Sequence, residues 1–539
     1  MDDYDVVIVG AGSTGGVLAA RLSENPGRSV VVLEAGPVYA SLDEFPASLL
    51  DPSDESEVMP GSTHSWELSG TLRTGVHVPI PRGKVIGGSS SINGAYFQRG
   101  TQSNFKTWVE LGNDAWSWEQ VLPYYKRSET DLDLHDELHG TDGPIKVRRE
   151  PPDRAPEFTG AFTQACRELG FADQPDKNGA GPAGVGPVPL NVYEGRRLST
   201  AITYLLPALE RPNLRVIGNA YARKAIFDGD RCVGVEADVD GARKMFRAGE
   251  VIFSAGALRS PQLLMLSGIG PAEHLREHGL DVRVDLPGVG SNLTDHPELS
   301  FQWTFNGKLP AMPGRGLMTS ALNWTAEGSG EVDDVEILPF VSSAADMMKI
   351  SAAVRNPKQA IAALRNASPK FLIQQAKAMR HPFVVIGLQQ PDSRGTVRLA
   401  SADPARLPLL DWNLFSEERD RLRIREGIRV AAEIFHSSPM RAIGARAVNL
   451  GDKDLSSDRR IDEWAFANIF AVGHPSCTCR MGPASDMTAV VDQYGSVHGV
   501  TGLRVADTSI FPMIPSRGPN ATAVMIGERL SDVIDHGTK

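Results

Sequence analysis

Residues 5–15 read DVVIVGAGSTG, and this stretch decides the fold of the N-terminal part of the chain. Its first five residues form a mostly apolar run, which is typical of a buried parallel strand. Gly10 permits a tight turn out of the strand, Gly12 lets a pyrophosphate approach the backbone, and Gly15 lets the next helix pack closely. The stretch therefore predicts a strand, a turn and a helix whose free N–H groups and positive dipole end face a phosphate.

A carboxylate follows where such a unit would bind a ribose. After the helical pattern VLAARLSE comes a second apolar run, SVVVLEAG, which contains Glu34, 22 residues after Gly12. A carboxylate at this position can accept hydrogen bonds from the ribose hydroxyl groups of adenosine. Together these elements predict an ADP-containing cofactor, and they leave NAD and FAD both open.

Length, composition and charge restrict the class of protein. The chain has 539 residues, of which 41% are hydrophobic and 22% charged, as in globular proteins. This length suggests about three domains. The net charge of −11 argues against nucleic acid as a partner. No run is long enough to span a bilayer and no signal peptide precedes the first strand, so we expect a cytoplasmic protein, with peripheral membrane attachment as the alternative.

The cysteines indicate reduced structural thiols. The chain carries only four, which are Cys166, Cys232, Cys477 and Cys479. Four cysteines in so long a chain do not make a disulfide framework. Zinc ligation would require CxxC spacing and two further ligands, so we predict no metal site.

A second glycine-rich stretch, PRGKVIGGSSSINGAYFQRG, occupies residues 81–100 and follows a polar loop predicted from about Pro37 to Arg82. Apolar residues such as Val85 and Ile92 run through it, unlike the composition of a flexible linker. We interpret it as backbone N–H groups and small side chains that pack against a flat ligand.

Later segments return to the first sheet. The chain is rich in strand formers from Asn213, with a hairpin signal at DGD, residues 228–230, and a buried strand at EVIFSAGA, residues 250–257. LRVAD, which ends at Asp507, and the helical segment 519–534 close the same domain. A nucleotide-binding domain completed by C-terminal segments is expected of large flavoproteins, whereas nicotinamide dehydrogenases have a contiguous one, so we predict FAD.

These motifs resemble those of the glucose–methanol–choline (GMC) oxidoreductases, FAD-dependent enzymes that act on alcohols, and in particular the choline-dehydrogenase-like branch. Residues 82–100 and GALRSPQLLMLSGIG, residues 256–270, are similar to the two family signatures. GVGSNLTDHP, RVADTSIFP and PNATAVMIGE follow in the family's order. The resemblance implies an α/β fold (α+β overall). It has a discontinuous Rossmann-like FAD-binding domain and a substrate domain with an antiparallel sheet backed by helices.

On this basis we predict the domain boundaries. The FAD-binding domain comprises residues 1–150, 213–297 and 470–539, and the substrate domain comprises 151–212 and 298–469. The substrate domain includes a basic helical insertion near 345–381, with seven basic residues and one acid. We favour a solvated helical face for this insertion. The alternative is a docking surface for an anionic membrane or an acidic redox partner.

The resemblance also implies the cofactor contacts. For the ADP half of FAD they are Gly10, Gly12, Ser13, Thr14, Gly15, Glu34, Ala35 and Ala222. In the loop against the flavin ring they are Arg82, Val85, Gly87, Gly88, Ser89, Ser90, Asn93, Gly94 and Ala95. The remaining contacts are Ala255, Gly256, Asp507, Thr508, Asn520, Ala521 and Thr522. Some members bind FAD covalently through a histidine in this loop. Ile92 occupies that place here, which predicts non-covalent FAD.

Alcohol oxidation requires a base for the hydroxyl proton and a group that fixes the substrate oxygen. His474, in GHPSCTCRMG, lies where the family has its catalytic histidine, a residue suited to a base because its pKa is near neutral. Asn520 matches the family's second catalytic residue, a histidine or an asparagine, and it could also cap the last helix. We interpret His296, in LTDHP, as structural.

The predicted function is oxidation of a primary alcohol to an aldehyde. His474 acts as general base, the hydride goes to flavin N5, and the electrons pass to a quinone or a protein. Choline-oxidising members tend to carry tyrosine where this chain has Gly473, and a quaternary ammonium needs an aromatic cage, so we favour an uncharged alcohol. The alternatives are an oxidase that uses O₂ and releases H₂O₂, and a redox-silent lyase on the same fold.

Overall fold

The structure of the chain is a computed structural model that describes residues 2–151, 153–307, 313–343, 347 and 381–537. The basic stretch near 345–381 lies outside the described residues except for Met347 and His381. Among the helices described, none is long and apolar enough to cross a membrane.

The N-terminal strand lies inside a seven-stranded sheet, as its apolar sequence predicts. Asp2–Val9 pairs in parallel with Val30–Leu33 on one side and with Ala242–Phe253 on the other. Leu214–Ile217 extends the sheet beyond Val30–Leu33, and Leu503–Val505 pairs in parallel with Ala242–Phe253. Three distant parts of the chain thus build one Rossmann-like sheet.

An antiparallel meander continues this sheet on one side. Ala220–Asp228, Arg231–Val239 and Ala242–Phe253 are consecutive, and each pairs with the next. Gly229, with φ of +55°, lies in the two-residue turn predicted at residues 228–230. The last strand of the meander continues into the parallel part of the sheet, as predicted for EVIFSAGA.

Helices from both ends of the chain pack on each other. Thr14 Oγ1, in helix Ser13–Leu22, donates to the carbonyl of Ala523 in helix Asn520–His536 at 2.8 Å. A Cβ at Gly527 would lie 2.7 Å from Val17 Cβ, so glycine permits this close approach. Within the described residues, the other helices of seven or more residues are Gln102–Glu110, Trp118–Ser128, Glu157–Glu168, Ser260–Leu266, Glu418–His436 and Asp458–Asn468.

A second large sheet is antiparallel and carries a helix on one face, as the resemblance implies. Helix Glu418–His436 covers it, and a Cβ at Gly427 would lie 3.0 Å from Ile386 Cγ2 and 3.1 Å from Val335 Cγ1. The strands, in spatial order, are Arg446–Ala447, Pro297–Thr304, Pro382–Leu388, Val335–Ser343, Ser320–Trp324 and Val185–Pro187, with Ile469–Ala471 paired to Pro297–Thr304.

The region predicted as a loop from Pro37 to Arg82 contains a hairpin, so this prediction was wrong in part. Leu68–Arg73 and Val76–Ile80 pair antiparallel and join a four-stranded sheet. The first strand alternates buried and more exposed residues, but Gly70 occupies an inward position. A Cβ at Gly70 would lie 2.4 Å from Trp412 Cζ3, so the tryptophan fills the space that a side chain at residue 70 would occupy. Because glycine stands at this inward position, the sequence does not show the apolar alternation of a strand.

Candidate active site

The glycine turn after the first strand is built as its sequence predicts. Gly10 has φ of +103°, and a Cβ there would lie 2.4 Å from the carbonyl oxygen of Ser254. A Cβ at Gly15 would lie 2.1 Å from the Gly10 carbonyl oxygen, so the helix can start only with glycine there. At Gly12 the closest atom would be 3.9 Å away, which leaves this side of the turn open.

The open turn fits a diphosphate. Gly12 is the N-cap of helix Ser13–Leu22 and supplies no side-chain cap, so the first N–H groups of the helix keep their bonding capacity. The buried carboxylate of Glu34 accepts from the N–H groups of Ala11 at 2.9 Å and Gly36 at 2.8 Å. Burial raises the pKa of Glu34 to about 7, although these N–H donors lower it. Glu34 is thereby held at the end of its strand, with unused lone pairs for ribose hydroxyl groups.

The remaining residues predicted for the adenosine side lie near Glu34. Ala35 follows it directly, and the Ala220 N–H donates to the Glu34 carbonyl at 2.8 Å. This bond brings the start of strand Ala220–Asp228, and with it Ala222, beside the strand that ends at Glu34.

The second glycine-rich stretch lies against the first. Gly87 N–H donates to the Ala11 carbonyl at 2.7 Å, and a Cβ at Gly88 would lie 2.7 Å from Gly12 Cα. The structure thus brings the predicted phosphate turn and the predicted flavin loop into contact. The other predicted members of the loop lie in the same segment and are Arg82, Val85, Ser89, Ser90, Asn93, Gly94 and Ala95.

Thr200 joins the two glycine loops and was not found from the sequence. Its Oγ1 lies 3.3 Å from the Gly12 carbonyl oxygen and 3.1 Å from Ser90 Oγ. The residue stands in RRLSTA, which carries no recognisable motif. The position of Thr200 between the two glycine loops becomes visible only in the folded structure, where segments far apart in the chain meet.

Asp507 lies among the remaining predicted cofactor contacts and is bonded to the segment that contains Gly256. It accepts from the N–H of Gly256 at 2.8 Å and from Ser260 Oγ at 2.5 Å, and burial raises its pKa. Ala255 precedes this contact. Thr508 Oγ1 donates to the Pro475 carbonyl at 2.9 Å, which ties the strand end at Asp507 to the segment that carries His474.

The structure does not pair Asn520 with His474. Asn520 Oδ1 accepts from Ser13 Oγ at 3.4 Å, which places this side chain at the phosphate turn. Gly518 is the residue of this segment that adjoins His474, because a Cβ there would lie 3.7 Å from His474 Cε1. The role of Asn520 as the second catalytic residue stays a prediction, and its described hydrogen bond is with Ser13.

The position at which the last helix starts explains why Asn520 contacts Ser13. Helix Asn520–His536 begins at Asn520 with Pro519 at the N-cap position, so the helix directs Asn520 towards the first helix. The alternative role of Asn520 as N-cap is not found either. Ala521 and Thr522 are buried, and Thr522 Oγ1 lies 2.8 Å from the Tyr125 hydroxyl.

Three contacts hold the segment around His474. The His474 N–H donates to Asp295 Oδ1 at 2.9 Å, and Arg82 Nη1 donates to the Gly473 carbonyl. The Nδ1 atoms of His474 and His296 are 3.0 Å apart. In the described part of the chain, His474 Nε2 has no hydrogen-bond partner, and the residue keeps partial exposure.

The electrostatic surroundings keep His474 neutral. Burial lowers its pKa well below the usual range, and His296 and Arg82 lower it further. A neutral ring at pH 7 has one nitrogen with a lone pair, which is what a general base requires.

His296 and Tyr96 are site residues that the sequence analysis did not assign to catalysis. His296 was interpreted as structural, yet it contacts His474 directly. The ring of Tyr96 also adjoins Gly518, where the same Cβ would be 3.0 Å from Tyr96 Cδ1. Its hydroxyl donates to Glu336 Oε2 at 2.8 Å, and burial raises its pKa well above the usual range.

The fold and the site define a flavin-dependent oxidoreductase, and sequence models agree. The N-terminal model of the GMC oxidoreductases matches residues 4–298, and the C-terminal model matches 391–527. The chain belongs to the GMC oxidoreductase family. It is an FAD-dependent alcohol oxidoreductase.

Relatives support this over the whole length. A protein of Rhodococcus erythropolis, named an uncharacterized GMC-type oxidoreductase, is 39% identical over 99% of this chain and 98% of its own. The oxygen-dependent choline dehydrogenase of Vibrio vulnificus is 37% identical over 99% of this chain and 94% of its own. The crystal structure of pyridoxine 4-oxidase from Mesorbium loti has a TM-score of 0.86 at 26% identity, over 99% of this chain and 100% of its own.

Proposed function

We propose that the protein oxidises an uncharged primary alcohol to an aldehyde, with His474 as the general base. The observation that carries this proposal is the neutral His474 ring, fixed at its backbone by Asp295 and joined through Arg82 to the predicted flavin loop. Bound FAD supplies the acceptor for the hydride of the alcohol carbon. His474 Nε2 takes the hydroxyl proton, so that the carbon–oxygen bond can become a carbonyl.

The charges around His474 support an uncharged substrate. The Arg82 guanidinium lies beside Gly473, where a Cβ would be 3.2 Å from its Nη1. Burial raises the pKa of Glu298 well above the usual range, with Glu336 and Asp295 adding to the increase. A cationic substrate at His474 would therefore meet the positive charge of Arg82.

Non-covalent FAD is part of the proposal. Ile92 is 4% exposed and lies in the flavin loop directly before Asn93. Its hydrocarbon side chain offers no nucleophile to the flavin ring. Acid precipitation is expected to release all flavin into the supernatant, and flavin that remained with the precipitate would contradict this assignment.

For the electron acceptor we propose a quinone or a protein, with O₂ as the second candidate. Oxygen is favoured by the names of solved neighbours, which include pyridoxine 4-oxidase and formate oxidase at TM-scores of 0.86 and 0.85. Peroxide formed in step with aldehyde during aerobic turnover would select the oxidase. Turnover only with an added quinone or dye would select the dehydrogenase.

The test is anaerobic mixing of the purified enzyme with single alcohols, followed at about 450 nm, where oxidised flavin absorbs. Benzyl alcohol or a linear primary alcohol is expected to bleach the flavin faster than choline does, and to yield the aldehyde. Faster bleaching by choline would overturn the uncharged substrate. An enzyme with bound FAD that no alcohol bleaches would favour the redox-silent lyase.

A further inference from the structure

Two histidines from distant segments meet in the active site. His296 lies directly before strand Pro297–Thr304, and His474 lies in the loop after Ile469–Ala471. Their ring centroids are 5.1 Å apart, their planes cross at 82°, and their Nδ1 atoms are 3.0 Å apart. At this distance one Nδ1 must carry a proton and the other a lone pair, because two lone pairs would repel.

A backbone carbonyl decides which histidine donates. His296 Nε2 lies 3.0 Å from the carbonyl oxygen of Pro515. A carbonyl oxygen only accepts, so His296 carries its proton on Nε2. When His296 is neutral, its Nδ1 therefore has the lone pair, and His474 Nδ1 must be the donor.

The surroundings of His296 keep it neutral. The residue is 1% exposed, and burial lowers its pKa to about 4. Arg517 adds to this decrease, whereas the carbonyls of Pro515 and Gln389 oppose it. The ring is therefore uncharged near pH 7.

Asp295 fixes the positions of both rings through the backbone. Its Oδ1 accepts from the N–H groups of His296 and His474, each at 2.9 Å. Its Oδ2 accepts from Trp412 Nε1 at 3.1 Å. The two histidine segments thus share one anchor, and their rings cannot drift apart without the loss of these bonds.

We propose that His296 is a positioning residue that holds His474 as the Nδ1–H tautomer and leaves the Nε2 lone pair for the substrate hydroxyl. The proposal rests on the proposed function of His474 as base. The alcohol O–H bond breaks and its proton binds Nε2, while the C–H bond breaks and its electron pair leaves as hydride to the flavin. His474 then carries one positive charge, and its Nδ1–H still donates to neutral His296.

The direct test is the protonation state of the His474 ring in the FAD-loaded enzyme. Nitrogen-15 labelling of the 12 histidines, with His474→Ala and His296→Leu to assign the two rings, distinguishes protonated from unprotonated ring nitrogens. We expect His474 to be protonated at Nδ1 and not at Nε2 at pH 7, and to lose this preference in His296→Leu. A wild-type ring protonated at Nε2, or an unchanged tautomer in His296→Leu, would overturn the proposal.

Flavin reduction provides a second readout. His296→Leu is expected to slow anaerobic reduction by alcohol about 10- to 100-fold with FAD still bound, since a base in the wrong tautomer cannot take the proton. His296→Gln can donate to Pro515 and accept from His474, so it should recover at least about fivefold over His296→Leu. A rate in His296→Leu within about twofold of wild type, or no recovery in His296→Gln, would contradict a positioning role.

A matched control separates this effect from the loss of any histidine that is bonded to a backbone carbonyl. His498 Nε2 also lies against a backbone carbonyl, that of Gly482, at 3.1 Å, and it is outside the site. His498→Leu should leave both the reduction rate and the His474 tautomer unchanged. If no primary alcohol reduces the wild-type flavin, the proposed function fails, and the tautomer measurement still decides the role of His296.

Discussion

One buried histidine cluster in this protein holds a charged ring, and another holds two neutral rings. Burial lowers the pKa of His139, but carboxylate oxygens of Asp131, Asp176 and Glu129 lie 3.0 to 3.5 Å from its ring nitrogens, and they outweigh burial and raise the pKa to about 11. Among the described residues no carboxylate faces the His474 ring in this way, and burial, His296 and Arg82 all lower its pKa. Burial alone therefore does not decide whether a histidine is charged, and the neighbours do.

The clusters also differ in whether a histidine side chain is left available for chemistry. Arg99 and Arg149 neutralise Glu129 and Asp131 in the first cluster, at 2.5 Å and 2.8 Å, and the side chain of His139 is inaccessible to solvent. Glu129, Asp131 and His139 could by geometry hold a cation, but the two arginines and a protonated His139 already balance these carboxylates. We interpret this cluster as structural and the cluster around His474 as chemical.

The largest expected effect is on chemistry. His474→Ala should slow anaerobic flavin reduction by alcohol about 10²- to 10⁴-fold, the usual contribution of a positioned base. FAD should stay bound, because the glycine loops and Glu34 are untouched. Stopped-flow absorbance measures the rate, and a variant that reduced its flavin at nearly the wild-type rate would contradict the role of His474.

The next largest expected effect is on the free energy of unfolding, and it concerns the cluster around His139. His139→Leu removes the cation between Asp131 and Asp176, which should lower the free energy of unfolding by about 3–5 kcal/mol. Urea unfolding followed by flavin and tryptophan fluorescence measures it. The control His498→Leu removes one histidine–carbonyl bond and should cost only about 1 kcal/mol. Equal losses in the two variants would show that the His139 charge adds nothing.

The pH dependence of stability should have opposite signs at the two sites. The raised pKa of His139 makes its contribution full below about pH 6.5 and lost as the pH rises towards 11, so His139→Leu should approach wild type at alkaline pH. The pKa of His296 is lowered to about 4, so folding expels a proton and stability falls as the pH drops from about 6.5 to 4.

His296→Gln does not titrate, and it should therefore gain up to about 3 kcal/mol over wild type between pH 7 and pH 4. Urea unfolding of each variant beside wild type, over this pH range and up to pH 10, checks both signs. Parallel pH profiles for all three proteins would mean that neither histidine has the shifted pKa described here.

The smallest effect tests the contact of Asn520 with Ser13. Asn520→Ala removes the bond with Ser13, so the dissociation constant of FAD should rise about 2- to 10-fold while the reduction rate of bound flavin is unchanged. Gly518→Ala, whose new Cβ would press on Tyr96 beside His474, should show the reverse pattern. A slowed reduction of bound flavin in Asn520→Ala would instead support the catalytic role that the family resemblance implies.

What could be predicted from the sequence was local or carried by motifs. The strands at residues 5–9 and 250–257, the turn at 228–230 and the last helix follow from runs of adjacent residues, and the structure confirms them. The four cysteines, predicted to be reduced, are free and buried. The fold class and the family could also be predicted, because several motifs occur in the order that the family has.

What could not be predicted depends on contacts between distant segments. The contact of His296 with His474 spans 178 residues, and no local pattern records it. The contact of Asn520 with Ser13 was not predicted, because a motif gives the segment but not the residue at which the helix begins. The hairpin that starts at Leu68 was missed because Trp412, from a distant segment, fills the space at Gly70.

The most direct test of the account is a single anaerobic turnover of the wild-type enzyme with a stoichiometric uncharged primary alcohol such as benzyl alcohol, beside His474→Ala. The account predicts one aldehyde formed for each flavin bleached in the wild type, and neither product nor bleaching on the same timescale in the variant. Aldehyde formation and bleaching at equal rates in both proteins would contradict it.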